Sequence, residues 1–156
     1  GKIGAGICWD QWFPEAARIM ALQGAEILCY PTAIGSEPTD TDYDSCPHWT
    51  ITMQGHAAAN IMPVMASNRF GFEKGFSGKS ENSYDVNFYG SSFISGPKGE
   101  LLEQAGRDEE KILLAEFDLD QIQKLRSGWG IFRDRRPELY NVLLSIDGSP
   151  IISEIQ

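Results

Sequence analysis

The chain has 156 residues, of which 42% are hydrophobic and 22% charged, and this is enough to bury the core of one ordinary domain. Its formal net charge of −9 argues against nucleic acid or an anionic membrane as a partner, because both are bound through clustered Lys and Arg. We find no apolar run near the ~20 residues of a membrane span and no signal-peptide pattern. The three cysteines show no disulfide-framework spacing, so we expect a reducing, cytoplasmic setting.

The first 30 residues predict a strand, a helix and a second strand. Residues 3–8 form an apolar run typical of a buried strand, and residues 14–23 predict a helix with proline at its first position and Gly24 as its stop. A second buried strand is predicted over residues 25–30. This order predicts a βαβ unit with parallel strands and a right-handed crossover.

Residues 31–47 show no apolar periodicity and predict a long loop, a kind of segment that is often functional in compact domains. The helical pattern returns over residues 48–61, and residues 63–67 predict a third strand in the same layer. The apolar side of this second helix consists of Trp49, Met53, Ala57 and Ile61.

The second half of the chain predicts shorter elements. Residues 68–87 are rich in Gly, Ser and charge and predict irregular surface chain, whereas residues 88–95 predict a strand. A turn at residues 96–99 and a returning segment at 100–104 indicate a hairpin.

One more strand is predicted over residues 112–117, followed by a helix that opens with a capping box at residues 118–121 and runs through Leu125. From about residue 127 the chain is a polar, proline-interrupted tail that ends in an apolar segment, residues 139–146. Neither an internal repeat nor a second domain is evident, so residues 1–156 belong to one α/β domain.

Cys8 lies where the first predicted strand gives way to the first predicted helix. Helix N-termini and free backbone N–H groups lower a thiol pKa and can hold an oxyanion, so this position suits a nucleophile. The alternative is a buried core cysteine. Cys29 and Cys46 are predicted to be core residues, and the three cysteines lack the spacing of a disulfide framework or a zinc site.

Several other residues allow two interpretations. Asp10 is a possible base, but an Asp after a strand end is more often a cap. Trp9 and Trp12 are either core or pocket wall. His48 and His56 are predicted to be structural, since metal binding needs further ligands.

The loop carries three acidic residues, Asp40, Asp42 and Asp44. They either select a cationic substrate, whose ammonium needs a nearby carboxylate, or form part of a solvated loop. The second interpretation is favoured. Substitution of all three by Asn would remove the first interpretation if KM for a cationic substrate stayed unchanged.

Specific motifs carry a family resemblance. Residues 8–15 (Cys-Trp-Asp-Gln-Trp-Phe-Pro-Glu), with Arg18, residues 24–26 (Gly-Ala-Glu) and residues 30–32 (Tyr-Pro-Thr), resemble the nitrilase superfamily of carbon–nitrogen hydrolases, most of all its N-carbamoylputrescine amidases. The similarity continues in residues 88–92, 95–99 and 128–136. It therefore covers essentially the whole chain.

The resemblance implies a four-layer α-β-β-α sandwich, of which residues 1–156 form the C-terminal half of a single domain, and a homo-oligomer. It also implies a Cys-Lys-Glu triad in which Cys8 is the nucleophile. The backbone N–H of Trp9 matches an oxyanion donor, and Thr32 matches a substrate-side residue. The triad glutamate and lysine are expected upstream of Gly1, so the isolated segment is expected to be inactive and to need that upstream half.

The implied activity is hydrolysis of the ureido C–N bond of N-carbamoylputrescine to putrescine, CO2 and ammonia through a cysteine acyl-enzyme, with no metal or organic cofactor. Alternatives are a non-catalytic nitrilase-like interaction module and an amidase with another linear amide substrate. A glutaminase ranks last because Trp9, not a small residue, follows Cys8. Glu15 and Arg18 are predicted to form a structural ion pair one turn apart.

Overall fold

The computed structural model describes residues 1–37, 40, 42–75 and 85–149. The strands in these ranges are β1 (Ile3–Ala5), β2 (Ile27–Thr32), β3 (Val64–Asn68), β4 (Phe70–Glu73), β5 (Val86–Tyr89), β6 (Phe93–Ser95) and β7 (Leu101–Gln104). The helices are α1 (Pro14–Leu22), α2 (Cys46–Asn60) and α3 (Leu119–Trp129). Short 3-10 turns cover Cys8–Trp12, Pro137–Leu139 and Asn141–Leu144.

Five of these strands form one mixed sheet in the order β1-β2-β3-β6-β7. The pairs β1–β2 and β2–β3 are parallel, whereas β3–β6 and β6–β7 are antiparallel. The predicted parallel pairing around α1, the third strand in the same layer and the hairpin at residues 96–99 are therefore confirmed. Parallel β1 and β2 end at the same edge of the sheet, where ligand sites of α/β proteins usually lie.

Helices α1 and α2 cover one face of this sheet. Alternate residues of β2 and β3, namely Leu28, Tyr30, Val64 and Ala66, are buried against α2, as the two-residue period of a strand requires. On α2 the buried side chains recur at helical spacing and include Trp49, Met53 and Ala57, the residues predicted to line its apolar side. The core thus lies between sheet and helices.

The prediction of a buried strand over residues 3–8 is wrong in two respects. β1 is shorter, and its burial alternates along the strand: Gly4 is buried, whereas the Ile3 side chain points to the other face and is 68% exposed among residues 1–156. An apolar run does not by itself show that both faces are covered.

Helix α1 begins at Pro14 and ends at Leu22, one residue short of the predicted end. The small side chains of Ala17 and Ala21 are buried, and this allows the helix to approach α2 closely. Gly24 then adopts a φ of 94°, a left-handed conformation that favours glycine and turns the chain toward β2.

The strand predicted over residues 88–95 is two strands that belong to different sheets. β5 pairs with β4, and β6 pairs with β3 in the main sheet. Gly90 and Ser91 between them have φ values of 57° and 53°, which break the extended backbone. Within the segment predicted as irregular, Phe70–Glu73 is a strand and residues 76–84 lie outside the described residues.

Residues 112–117 were predicted as a strand, and that prediction is wrong. Ile112 and Leu114 are 85% and 81% exposed, and the described residues offer this segment no strand partner. The next helix, α3, shows the N-cap bond of the predicted capping box, because Asp118 Oδ1 accepts a 2.9 Å hydrogen bond from Gln121 N. It continues past Leu125 to Trp129.

Candidate active site

A short turn at the end of β1 carries the candidate nucleophile. Cys8 is the first residue of the 3-10 turn Cys8–Trp12, which we call the cysteine turn, rather than the last residue of a strand. Its φ is 51°, a left-handed value that is strained for a residue with a side chain. Upstream, Gly6 N donates a 3.1 Å hydrogen bond to Cys29 O, which keeps the turn attached to β2.

Asp10 caps the cysteine turn. Its Oδ2 accepts a 2.8 Å hydrogen bond from Ile7 N, and its own N–H donates to Ile7 O at 3.1 Å. The cap interpretation is therefore confirmed. Burial, together with the Asp10 charge, raises the pKa of Tyr30 to about 12, so this buried phenol stays protonated. Gly6 packs against it, since a Cβ there would lie 2.6 Å from Tyr30 Cε1.

Gln11 links the turn to the core, a role that the sequence did not reveal. Its side chain is buried, with 1% exposure, and its Nε2 donates to Thr32 Oγ1 at 3.1 Å. Its Oε1 accepts a 2.7 Å hydrogen bond from Trp49 Nε1. His56 Nε2 lies 2.8 Å from the Gln11 carbonyl oxygen. The turn is thereby fixed to both β2 and α2.

A cavity of about 470 Å³ opens beside Cys8. Its walls are largely apolar and aromatic, and include Trp9, Trp12, Ile34, Val86 and Phe88. Both tryptophans line this cavity, and Trp12 also packs against the core, so it combines the two predicted roles. Their rings meet edge to face at 6.3 Å. Cys8 is half-buried at this wall, whereas Trp9 is 70% exposed.

The polar lining residues include Glu37, Tyr43 and His48. His48 is exposed and its ring packs 5.0 Å from that of Trp12, so it faces the cavity rather than a structural core. Thr32 is at the predicted edge but contacts Gln11 instead of lining the cavity. In the described ranges no group of three or more His, Cys, Asp or Glu side chains could hold a metal ion.

The three acidic residues of the loop do not line the cavity beside Cys8. Asp44 Oδ1 accepts a hydrogen bond from Cys46 N at 3.0 Å, and its Oδ2 accepts one from Arg107 Nη2 at 2.6 Å. Although partial burial acts in the opposite direction, these bonds hold the pKa of Asp44 below its usual value. Asp40 and Asp42 are exposed and do not line the cavity.

The predicted ion pair between Glu15 and Arg18 does not form among the described residues. Arg18 Nη2 instead donates a 2.7 Å hydrogen bond to Ala59 O, and its guanidinium lies 4.6 Å from the ring centre of Phe132. Arg18 is partly buried between the end of α2 and the Phe132 ring. These contacts stabilise its guanidinium more than an ion pair with the exposed Glu15 carboxylate would.

His56 is buried and structural, as predicted, and it should make stability depend on pH. Burial lowers its pKa, and this outweighs the opposing effects of the Gln11 carbonyl and the Glu15 charge. The unfolded state therefore binds a proton at higher pH than the folded state does. We expect this contribution to be present above about pH 6.5 and to be lost below it, by at most about 1.4 kcal/mol per pH unit.

Urea unfolding of the full-length protein at about pH 7.5 and about pH 5.5 tests this expectation. His56→Gln should reduce the loss of unfolding free energy on acidification, because it removes the titrating ring. His48→Gln, which removes an exposed imidazole, should leave the loss unchanged. An equal pH dependence in wild type and His56→Gln would contradict the assignment.

The described part of the chain contains no helix with the length and apolar character needed to cross a membrane. The sequence model of the carbon–nitrogen hydrolase family matches residues 1–127. The chain is 61% identical to the N-carbamoylputrescine amidase of Solanum tuberosum over 148 residues, which are 95% of this chain and 49% of that protein. It is 56% identical to the citrullinase of Francisella tularensis over 92% of this chain and 48% of that protein.

A solved structure shares the fold. The crystal structure of a carbon–nitrogen hydrolase from Helicobacter pylori G27 superposes with a TM-score of 0.83 at 47% identity, covering 94% of this chain and 50% of that one. The mixed sheet with its helices is therefore the nitrilase-superfamily architecture that the sequence indicated. The chain spans about half the length of the curated relatives that it matches.

Proposed function

The chain belongs to the carbon–nitrogen hydrolase family, and from this premise we propose that the full-length protein hydrolyses the ureido C–N bond of N-carbamoylputrescine, giving putrescine, CO2 and ammonia. One observation carries the proposal: Cys8 lies on a strained turn at the wall of a cavity, in a chain 61% identical to an N-carbamoylputrescine amidase. The identity of 56% to a citrullinase makes citrulline the second candidate substrate.

We propose that residues 1–156 are the C-terminal half of one catalytic domain, with a tail from about residue 127. The proposal is supported by the coverage, because the chain spans about half the length of the curated relatives. In this proposal the preceding half supplies a glutamate that acts as general base and a lysine that completes the triad. The isolated segment would then be inactive, because a general base must come within about 3 Å of the thiol or reach it through one water.

In the proposed mechanism Cys8 attacks the carbonyl carbon after its thiol proton passes to the glutamate. The tetrahedral oxyanion is held by backbone donors that include the Trp9 N–H. Collapse breaks one ureido C–N bond, and the glutamate returns its proton to the nitrogen that leaves, so a carbamoyl group remains on sulfur. Water then cleaves this thioester-type bond and restores the thiol. The carbamic acid released in this second step loses CO2 and yields the second amine, so ammonia, putrescine and CO2 result.

Thr32 has a supporting role in this mechanism. Its hydroxyl holds the amide of Gln11, which belongs to the cysteine turn. This hydrogen bond holds the cysteine turn, and with it the nucleophile, in place relative to β2, and such fixed geometry is what rapid attack requires.

We further propose a cytoplasmic homo-oligomer that acts on a small molecule, without a metal or organic cofactor. Support for the small-molecule substrate comes from the volume of about 470 Å³ of the cavity beside Cys8 and from its apolar wall. The net charge of −9 is consistent with a partner that is neither nucleic acid nor an anionic membrane.

Ammonia release from N-carbamoylputrescine by the full-length protein tests the proposed activity. We expect release of ammonia and putrescine in equal amounts, faster than from citrulline and from simple aliphatic amides. A folded full-length protein that releases ammonia from none of these compounds would contradict the proposal and favour a non-catalytic nitrilase-like module.

A further inference from the structure

We propose that Glu37 binds the terminal ammonium of the substrate and thereby selects ureido amines that carry no carboxylate beside that ammonium. This inference rests on the proposed function and assigns its specificity to one side chain. Glu37 lines the same cavity as Cys8, on the segment between β2 and α2. Cys8 and Glu37 thus line one compartment of about 470 Å³.

The segment that carries Glu37 is anchored at the residue before it. Ser36 N donates to Asn87 O at 2.9 Å, and Asn87 N donates back to Ser36 Oγ at 3.0 Å. The Glu37 backbone also forms an isolated β-bridge with Asp40 of the same loop. The two bonds of Ser36 attach the neighbouring residue of Glu37 to β5, which also supplies part of the cavity wall. A binding group held in this way is preorganised, which reduces the entropy lost when it orders a ligand.

Glu37 is the one carboxylate among the described residues that line this cavity, and that lining contains no Lys or Arg. None of the ion pairs between described residues involves Glu37, whereas Asp44 in the same loop is paired with Arg107. The carboxylate of Asp44 therefore serves the structure. That of Glu37 leaves a negative charge at the cavity, where a cationic group would be favoured.

The other residues of the cavity wall suit the methylene chain that joins the ureido group of such a substrate to its ammonium. Ile34, Val86 and Phe88 provide apolar surface for a methylene chain. N-carbamoylputrescine carries a single ammonium beyond its four methylenes. Citrulline has an ammonium and a carboxylate on one carbon, so its carboxylate would approach Glu37 and be repelled. The negative charge of Glu37 in the described wall therefore favours N-carbamoylputrescine over citrulline.

The test compares N-carbamoylputrescine with N-butylurea, which has the same four-carbon chain but no ammonium. In the full-length wild-type protein we expect kcat/KM for the charged compound to be higher by about 10- to 100-fold, the range of a hydrogen bond to a charged partner. Glu37→Gln should bring this ratio close to one. Because the two rates are measured on one preparation, their ratio does not depend on the fraction of folded protein.

Asp42→Asn is the matched control, since it removes the same charge from the same loop at an exposed residue outside the cavity. It should keep the wild-type ratio. The preference for N-carbamoylputrescine over citrulline should fall in Glu37→Gln and persist in Asp42→Asn. A Glu37→Gln protein that retains the full preference for the charged compound would overturn the inference.

Binding separates this inference from the proposed activity. In the Cys8→Ala background, calorimetry of the full-length protein should give a lower Kd for N-carbamoylputrescine than for N-butylurea, and adding Glu37→Gln should remove the difference. If wild type hydrolyses neither compound, the proposed activity fails, and these dissociation constants alone decide the role of Glu37. Equal constants for the two compounds in the Cys8→Ala protein would overturn that role.

Discussion

Replacement of Cys8 by alanine should lower kcat/KM of the full-length protein for N-carbamoylputrescine by at least about 10⁴-fold, a loss typical of removing the nucleophile from a covalent mechanism. The physical reason is that no other thiol lines the cavity among the described residues. Initial rates of ammonia release at substrate concentrations well below KM give the measurement. The near-ultraviolet circular dichroism spectrum shows whether the packing is intact.

Cys29→Ala is the matched control for this variant. Cys29 is also free and half-buried, it lies on the neighbouring strand β2, and burial raises the pKa of its thiol. It is therefore a poor nucleophile, and its loss should leave kcat/KM within about threefold of wild type. If Cys8→Ala retained a tenth of the wild-type activity, a cysteine acyl-enzyme could not be the mechanism.

The sequence predicted those parts of the fold that depend on local pattern. Pro14 and Gly24 bracket α1 correctly, because proline suits the first turn of a helix and glycine the left-handed residue after it. The buried positions of α2 follow from a period of 3.6 residues. Asp118 was identified as a cap because its side chain acts within three residues.

The errors concern properties that depend on distant partners. Residues 112–117 have strand-like composition, but a strand also needs a neighbour to satisfy its backbone. The break at Gly90 and Ser91 depends on two left-handed residues, one of which is not glycine. No single-sequence signal identifies a serine that adopts this conformation.

The candidate site shows the same division. Cys8 is a candidate nucleophile because its neighbours form a specific motif, and the structure places it with Trp9 at the cavity wall; the role of each in catalysis stays a prediction. Gln11 was missed because its partners, Thr32 and Trp49, are 21 and 38 residues away. Glu37 was missed because a nearby run of aspartates is more conspicuous in sequence, while anchoring to β5 decides which carboxylate lines the cavity.

The polar chain through Gln11 connects the stability of the core with the geometry of the site. Trp49 is fully buried, its ring meets that of Phe93 edge to face at 5.1 Å, and its indole N–H supplies the hydrogen bond to Gln11. The Trp49 side chain on α2 therefore packs in the core and also holds the side-chain amide of Gln11, a residue of the cysteine turn. Loss of this side chain should affect both properties.

Trp49→Ala should accordingly lower the free energy of unfolding of the full-length protein by about 3 to 5 kcal/mol, since it removes a large buried side chain and leaves a cavity. Urea denaturation provides the measurement. Trp129→Ala, at an indole that is 70% exposed, should change the unfolding free energy by no more than about 0.5 kcal/mol. A cost below about 1.5 kcal/mol for Trp49→Ala would contradict the assigned packing.

Trp49→Phe separates the two roles of the side chain. It keeps most of the aromatic surface but leaves Gln11 Oε1 without its donor, so we expect an unfolding cost of about 1 to 3 kcal/mol. Because Gln11 also holds Thr32, the freed amide should loosen the cysteine turn and lower kcat more than the loss of folded protein explains. If kcat per folded molecule stayed at the wild-type value, the polar chain would serve folding alone, and the position of Cys8 would depend on its backbone contacts with β2.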